Sequence, residues 1–449
     1  MANKKSIYLF SGILIVLFFS AITFSASSQP DRKVLSKLFL SHAINNEFSE
    51  SYSLFSPSMR ERLNIAQLRS IWNSVAEQYG ELVYRKVTKE EEVDESHHLV
   101  LFSAFKKGNV DIHLFFNKKN QIENLFFAPA GIPDEYFSPD YDFSDFYSTR
   151  DITVKTGSYN LPGTFYYPSS GKNIPVVVLI HGAGFHDRYS TFGLNKPFRD
   201  LAVGMASFGV GVLCFDKRTY VYSGLSSVEN DSFTVKDEII DDAVSAVDLA
   251  MSLPESDPEN IFILGHGFGG MVTPRIAAAK PGIAGIIKMA ANARPFEDVI
   301  LDQVKYQVLH NDDNDHFPDM LKIYEFQVMR VKKGDFTNVS ASELPMNYPP
   351  SFWIDLAGYD HIEYSRNTPL PMLILQGERD YQVTTEDFEI WKRELEGKDN
   401  VSFVSFPGLN HLMVPGTGMS TPLEYEFPGN VAIDVILDIV EWVMDHKRR

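Results

Sequence analysis

The sequence predicts an α/β protein in which a doubly wound, mostly parallel sheet with a helical cap insertion follows a small α+β domain. Three observations carry this. Six short, almost unbroken apolar runs (176–180, 210–215, 261–264, 286–289, 372–376 and 401–406) alternate with stretches of helical periodicity, as strands buried on both faces of a parallel sheet do. One of those runs breaks into a knot of glycines and then a helix-compatible segment, Ile261-Phe262-Ile263-Leu264-Gly265-His266-Gly267-Phe268-Gly269-Gly270. Before residue 129 the apolar spacing changes from helical to alternating, which marks a separate unit.

Composition bounds the rest. At 449 residues, 44% hydrophobic and 22% charged, the chain can bury cores for two or three domains. Its 59 acidic against 41 basic residues leave a formal charge of −18, which repels nucleic acid and an anionic bilayer surface. The one cysteine, Cys214, sits in an apolar run. It excludes an internal disulfide, a Cys-based zinc site and a Cys-x-x-Cys redox pair, and reads as a small buried hydrophobe. No metal or cofactor is expected.

Taken in order, residues 1–28 carry Lys4 and Lys5, an apolar stretch over 7–24 and the small residues Ser25, Ala26, Ser27 and Ser28, the arrangement of a secretory signal. The stretch also approaches the length that spans a bilayer. A cleaved signal and an uncleaved anchor both remain open, and either makes the chain exported, periplasmic or extracellular. Residues 31–129 form the α+β domain. Leu35, Leu38, Phe39, His42 and Ala43 recur at helical spacing, as do Leu68, Ile71, Trp72, Val75 and Tyr79 between an N-cap at Asn64 and a stop at Gly80. Val110, Ile112, Leu114 and Phe116 then alternate with polar residues, flanked by strands over 99–105 and 125–127, as in an antiparallel meander. Tyr79, Tyr84, His97 and His98 either line a pocket there or simply pack.

Residues 130–150, punctuated by Pro133 and Pro139 and rich in Asp and aromatics, read as a linker or an extended arm. The α/β domain occupies 151–449. Its helices include 195–208, ended by Gly209, one carrying Ile239, Ile240, Ala243, Val244 and Val247 after a cap at Thr234, and a last one over 431–444. Between about 295 and 367 the rhythm breaks into helical stretches with no strand. An insertion after a strand's carboxyl end lies over the ligand crevice of such a sheet, so this segment is read as a cap.

The chemistry centres on 261–270. A buried strand, a tight glycine turn and a helix form the setting of a G-x-S-x-G nucleophile elbow, yet the position of the attacking serine holds Gly267. Three further elements suit acyl transfer. His181-Gly182-Ala183-Gly184 follows a strand directly, and its glycines let backbone N–H groups approach a substrate oxygen as the loop half of an oxyanion hole, whose other donor is the N–H of Phe268. Asp380 stands just beyond a late strand and His411 on the loop after the next, giving the chain order nucleophile position, acid, base. His266 reads as a packing residue. Arg294, after a strand, either meets a substrate carboxylate or is a solvated or capping arginine.

These motifs, with Asn195-Lys196-Pro197-Phe198-Arg199-Asp200 and Phe215-Asp216-Lys217-Arg218, resemble the α/β-hydrolase superfamily over residues 151–445, in the branch of bacterial esterases and prolyl-oligopeptidase-like or serine aminopeptidase-like hydrolases. Residues 31–129 resemble a small domain of unknown function that precedes the hydrolase domain in some exported bacterial proteins. The resemblance implies Asp380 as triad acid, His411 as general base, Ala183 and Phe268 as oxyanion donors, and hydrolysis of carboxylic esters or peptide and amide bonds. Gly267 departs from it. Two readings follow: a hydrolase that has lost ordinary turnover but binds an ester, amide or peptide ligand, or a slow one in which His411, oriented by Asp380, activates water.

Overall fold

The computed structural model describes residues 31–93, 96–131, 136–169, 171–223, 232–310 and 317–448. The apolar stretch over 7–24 lies outside the described residues. Contacts divide the described residues into two compact units, the smaller holding Val87–Phe102, Asp111–Ala128 and the described residues before Tyr79.

In the N-terminal part, α1 (Arg32–Ile44), α2 (Phe48–Ser53), α3 (Pro57–Arg62) and α4 (Ile65–Tyr79) precede four strands, β1 (Leu82–Val93), β2 (Ser96–Phe105), β3 (Gly108–Phe116) and β4 (Ile122–Ala130), which pair in sequence order. Asn64 caps α4 as its spacing predicts: its Oδ1 accepts from the Gln67 N–H at 3.0 Å while Gln67 Oε1 accepts from the Asn64 N–H at 2.9 Å, a reciprocal capping arrangement. Along β3, Val110, Ile112, Leu114 and Phe116 are buried and the residues between them are not. His98 lies flat against Phe115 and His113, and Tyr79 packs on Phe105, so these two candidates for a pocket are packing residues.

The larger unit is built on an eight-stranded sheet. Its strands are β5 (Tyr147–Thr156), β6 (Tyr159–Pro168), β7 (Ile174–Ile180), β8 (Gly211–Phe215), β9 (Ser256–His266), β10 (Gly285–Met289), β11 (Met372–Gly377) and β12 (Val401–Phe406), in the order β12-β11-β10-β9-β7-β8-β6-β5. β7 to β12 run parallel, and β5 and β6 add an antiparallel edge. That hairpin was not expected, and β5 starts at Tyr147, inside the segment read as an arm. β12, read as buried on both faces, is the other edge and only half-buried.

Helices cover both faces, and the pleat sorts the core between them. Val176, Val178, Ile261 and Ile263 pack under α7 (Asp241–Ser252) and α8 (Phe268–Ala279), while Val177, Leu179, Phe262 and Leu264 pack under α5 (Pro197–Ser207) and α14 (Ile433–His446). Each such side chain contributes roughly 1.5–3 kcal/mol by leaving water. α5 opens on Pro197, rather than at 195, and is stopped by Gly209 at φ 98°. α6 (Arg218–Val221) follows β8. Thr234 does not cap through its hydroxyl oxygen; its N–H and hydroxyl both donate to Asp237, and a π turn at Lys236–Ile240 leads into α7. Between β10 and β11 stand α9 (Phe296–Leu309), α10 (Phe317–Lys333), α11 (Pro350–Ala357) and α12 (His361–Asn367) with no strand among the described residues, and α13 (Thr385–Glu394) joins β11 to β12.

Candidate active site

β9 ends at His266, Gly267 turns at φ 55° and ψ −121°, and α8 begins at Phe268. The glycines of this elbow are there for different reasons. A Cβ on Gly265 would stand 2.4 Å from the Gly269 carbonyl oxygen, one on Gly269 would stand 2.2 Å from that of His181, and one on Gly270 would stand 2.5 Å from the Ala291 side chain. None of those gaps admits a side chain. At Gly267 the nearest atom to an added Cβ is Nε2 of His411, 3.6 Å away, which is ordinary contact. The turn demands a tolerated positive φ at 267, but the space does not demand glycine.

His411 and Asp380 are brought together. Both are buried, and Nδ1 of His411 lies 2.7 Å from Oδ2 of Asp380. The other carboxylate oxygen accepts from the N–H groups of Gln382 and Val383 at 2.8 and 2.9 Å, so Asp380 is held as an acceptor. Nδ1 of His411 therefore carries the proton, and the Nε2 lone pair faces position 267. His266 is a packing residue as expected: its Nε2 donates to the His411 carbonyl at 2.9 Å, the two rings lie 4.4 Å apart, and burial drives its pKa well below the usual histidine value. A neutral His266 adds no charge beside the base.

The loop after β7 is braced from below. Lys217 Nζ donates to the Gly182 carbonyl at 2.9 Å and to Glu238 Oε1 at 2.5 Å, and that same oxygen accepts from the Gly184 N–H at 3.0 Å and the Tyr348 hydroxyl at 2.8 Å. Lys217 and Glu238 are fully buried. The N–H groups of Ala183 and Phe268 have no acceptor among the described residues, which leaves both free to donate to a bound oxygen. Glu238 and Tyr348 went unnoticed in the sequence. The one local sign at Glu238 is the π turn it sits on, a feature that recurs at functional sites but leaves no trace in periodicity.

Gly182, Ala183, Gly267, Phe268 and His411 line one crevice of about 190 Å³. The expected cap takes part: Phe296, Val299 and Ile300 of α9 and Met346 form its apolar wall. His186 and Ser190, from the loop after β7, also line it. Arg294 does not. Its guanidinium is held by Asp387 at 2.8 Å and Asp302 at 2.7 Å, so of its two alternatives the one that meets a substrate carboxylate does not hold. A larger hollow of about 530 Å³, walled by Ala277, Ile283 and Leu370, contains none of the expected site residues. Among the described residues no cluster of His, Cys, Asp and Glu could hold a metal ion.

Residues 177–418 match the model of the alpha/beta hydrolase family, and residues 36–125 match a protein family of unknown function (DUF3887). The chain is 33% identical over 435 residues to esterase EstD of Thermotoga maritima, covering 96% of this chain and 99% of that protein. Among solved structures it is similar to Est1E from Butyrivibrio proteoclasticus, with a TM-score of 0.43 and 15% identity over 66% of this chain and 98% of that one. An esterase of Pyrobaculum calidifontis has a TM-score of 0.43 and 16% identity over 66% of this chain and 85% of its own.

Proposed function

The chain belongs to the α/β-hydrolase family, and on that premise we propose that it is an esterase-like member whose crevice accepts a small carboxylic ester, amide or peptide but whose elbow no longer forms an acyl-enzyme. The observation that carries this is position 267. A paired acid and base, an apolar wall and two unengaged N–H donors surround a residue with no hydroxyl. Loss of a triad serine costs about 10⁶ in turnover, while about 10³–10⁴ over water survives from binding and the oxyanion hole. The relative named as an esterase supports an ester over an amide.

A second reading rests on the same vacant position. Because Nε2 of His411 faces 267 across 3.6 Å from where a Cβ would be, a water there would be within reach of the base and would attack without a covalent intermediate. Assay of the native chain, of His411→Ala and of Gly267→Ser on short aryl esters and aminoacyl amides separates the two. Loss of turnover predicts a native rate equal to that of His411→Ala; a native rate that His411→Ala abolishes favours water.

Residues 7–24 are proposed to direct export to the periplasm or exterior. Cell fractionation checks this: the full chain is expected outside the cytoplasm, and retention inside contradicts it.

A further inference from the structure

We propose that Ser190 and His186 form a second nucleophile–base pair in the crevice, able to take an acyl group that Gly267 cannot. This rests on the crevice being an acyl-binding site, as read above. Ser190 Oγ lies 3.4 Å from Nδ1 of His186, and Nε2 of His186 lies 3.0 Å from the Ala183 carbonyl oxygen. A carbonyl only accepts, so Nε2 carries the hydrogen and Nδ1 presents its lone pair to the serine. Nucleophile, base and an orienting third group are the parts an activated serine needs, at separations that are often longer before substrate binds. Here the orienting group is a backbone carbonyl of the same loop.

Two more observations single this serine out. Ser190 has φ 52°, an uncommon conformation for a residue with a Cβ, held by its N–H donating to the Asp187 carbonyl at 2.9 Å. Its hydroxyl has no other partner among the described residues, and it lines the same crevice as Gly267 and His411. The nearby Asp187 carboxylate is occupied by the N–H and hydroxyl of Thr191, so it does not compete for His186. Around the imidazole stand Lys217, His411 and Asp187, with His181 stacked on it. Burial, with Lys217 second, lowers the His186 pKa to about 4, which keeps it an unprotonated base across the neutral range.

The step balances without a further reagent. Ser190 Oγ bonds to the ester carbonyl carbon as its proton passes to Nδ1. The ester C–O bond breaks and the leaving alkoxide takes that proton. Water then attacks the acyl-serine, returning the hydroxyl and releasing the acid.

The test is labelling of the full chain with a fluorophosphonate, followed by peptide mapping. One adduct on Ser190 is expected. Ser190→Gly, which suits the positive φ and so keeps the turn, should lose at least tenfold of the labelling, and His186→Gln should slow it at least tenfold. The rate on the native chain should stay level from pH 8 down to about 5 and fall near 4. A native chain that stays unlabelled while Gly267→Ser is labelled at position 267 overturns this pair and leaves the crevice reading standing. If neither chain is labelled, the crevice reading fails and the pair with it. An adduct that persists in Ser190→Gly also overturns it.

Discussion

The two halves of the crevice differ in what holds them. On the side of the proposed acid and base the geometry is fixed by the paired side chains themselves: Asp380 is pinned by two N–H groups, and it in turn orients His411. On the elbow side it is fixed by backbone crowding around Gly265, Gly269 and Gly270, and the side chain at 267 takes no part. The scaffold of the second half therefore does not depend on what position 267 carries. An elbow packed by its neighbours keeps its shape with or without a hydroxyl there, whereas losing Asp380 would free the group that orients His411.

That contrast can be broken from either side. The largest effect is expected from Asp380→Asn made together with Gly267→Ser: the orienting carboxylate is lost, and ester turnover of the serine-bearing chain should fall about 10⁴-fold, measured as kcat. Next is Glu238→Ala, which leaves the fully buried Lys217 unpaired beneath the Gly182 carbonyl. Breaking a buried pair from one side costs about 3–5 kcal/mol, to be read from urea denaturation. A smaller difference sharpens the comparison within the elbow. Gly269→Ala forces a Cβ to 2.2 Å from the His181 carbonyl oxygen, while at Gly267 the nearest atom is 3.6 Å away. Gly267→Ala should then cost only backbone strain, about 1–3 kcal/mol, and Gly269→Ala more than that in the same titration.

The last effect is on pH and builds gradually, with no single substitution behind it. His181, His186 and His266 are held neutral by burial, His186 down to about 4. Above the ordinary histidine value near 6.5 folded and unfolded chains bind the same protons at these sites. Below it the unfolded chain takes up protons that the folded chain refuses, so stability falls as pH drops from 6.5 toward 4. Denaturation midpoints across that window check the sign.

Much of the parallel sheet could be read from the chain because its strands are buried on both faces and leave continuous apolar runs. The edges could not. β5 alternates exposed and buried residues beside a Pro- and aromatic-rich segment, which reads as an arm. In the site, the elbow, the loop at Gly182, Asp380 and His411 stand on local strand-and-turn patterns. Glu238 and Tyr348 act across 54 and 164 residues from Gly184, and no local period encodes such a meeting. The choice between the two roles open to Arg294 is settled at the same kind of distance, since Asp387, its partner, lies 93 residues on. Ser190 is marked only by a positive φ that its residue type does not announce.

We propose that a single hydroxyl at 267 is what separates the Asp380–His411 pair from a working esterase triad. The direct measurement is the rate of short aryl ester hydrolysis by Gly267→Ser beside the native chain, with fluorophosphonate labelling mapped to position 267. A gain of at least about 10³-fold in kcat, with an adduct at 267 that His411→Ala prevents, is the predicted result. A folded Gly267→Ser chain that stays inert and unlabelled would contradict this and mean that more than this hydroxyl is missing from the crevice.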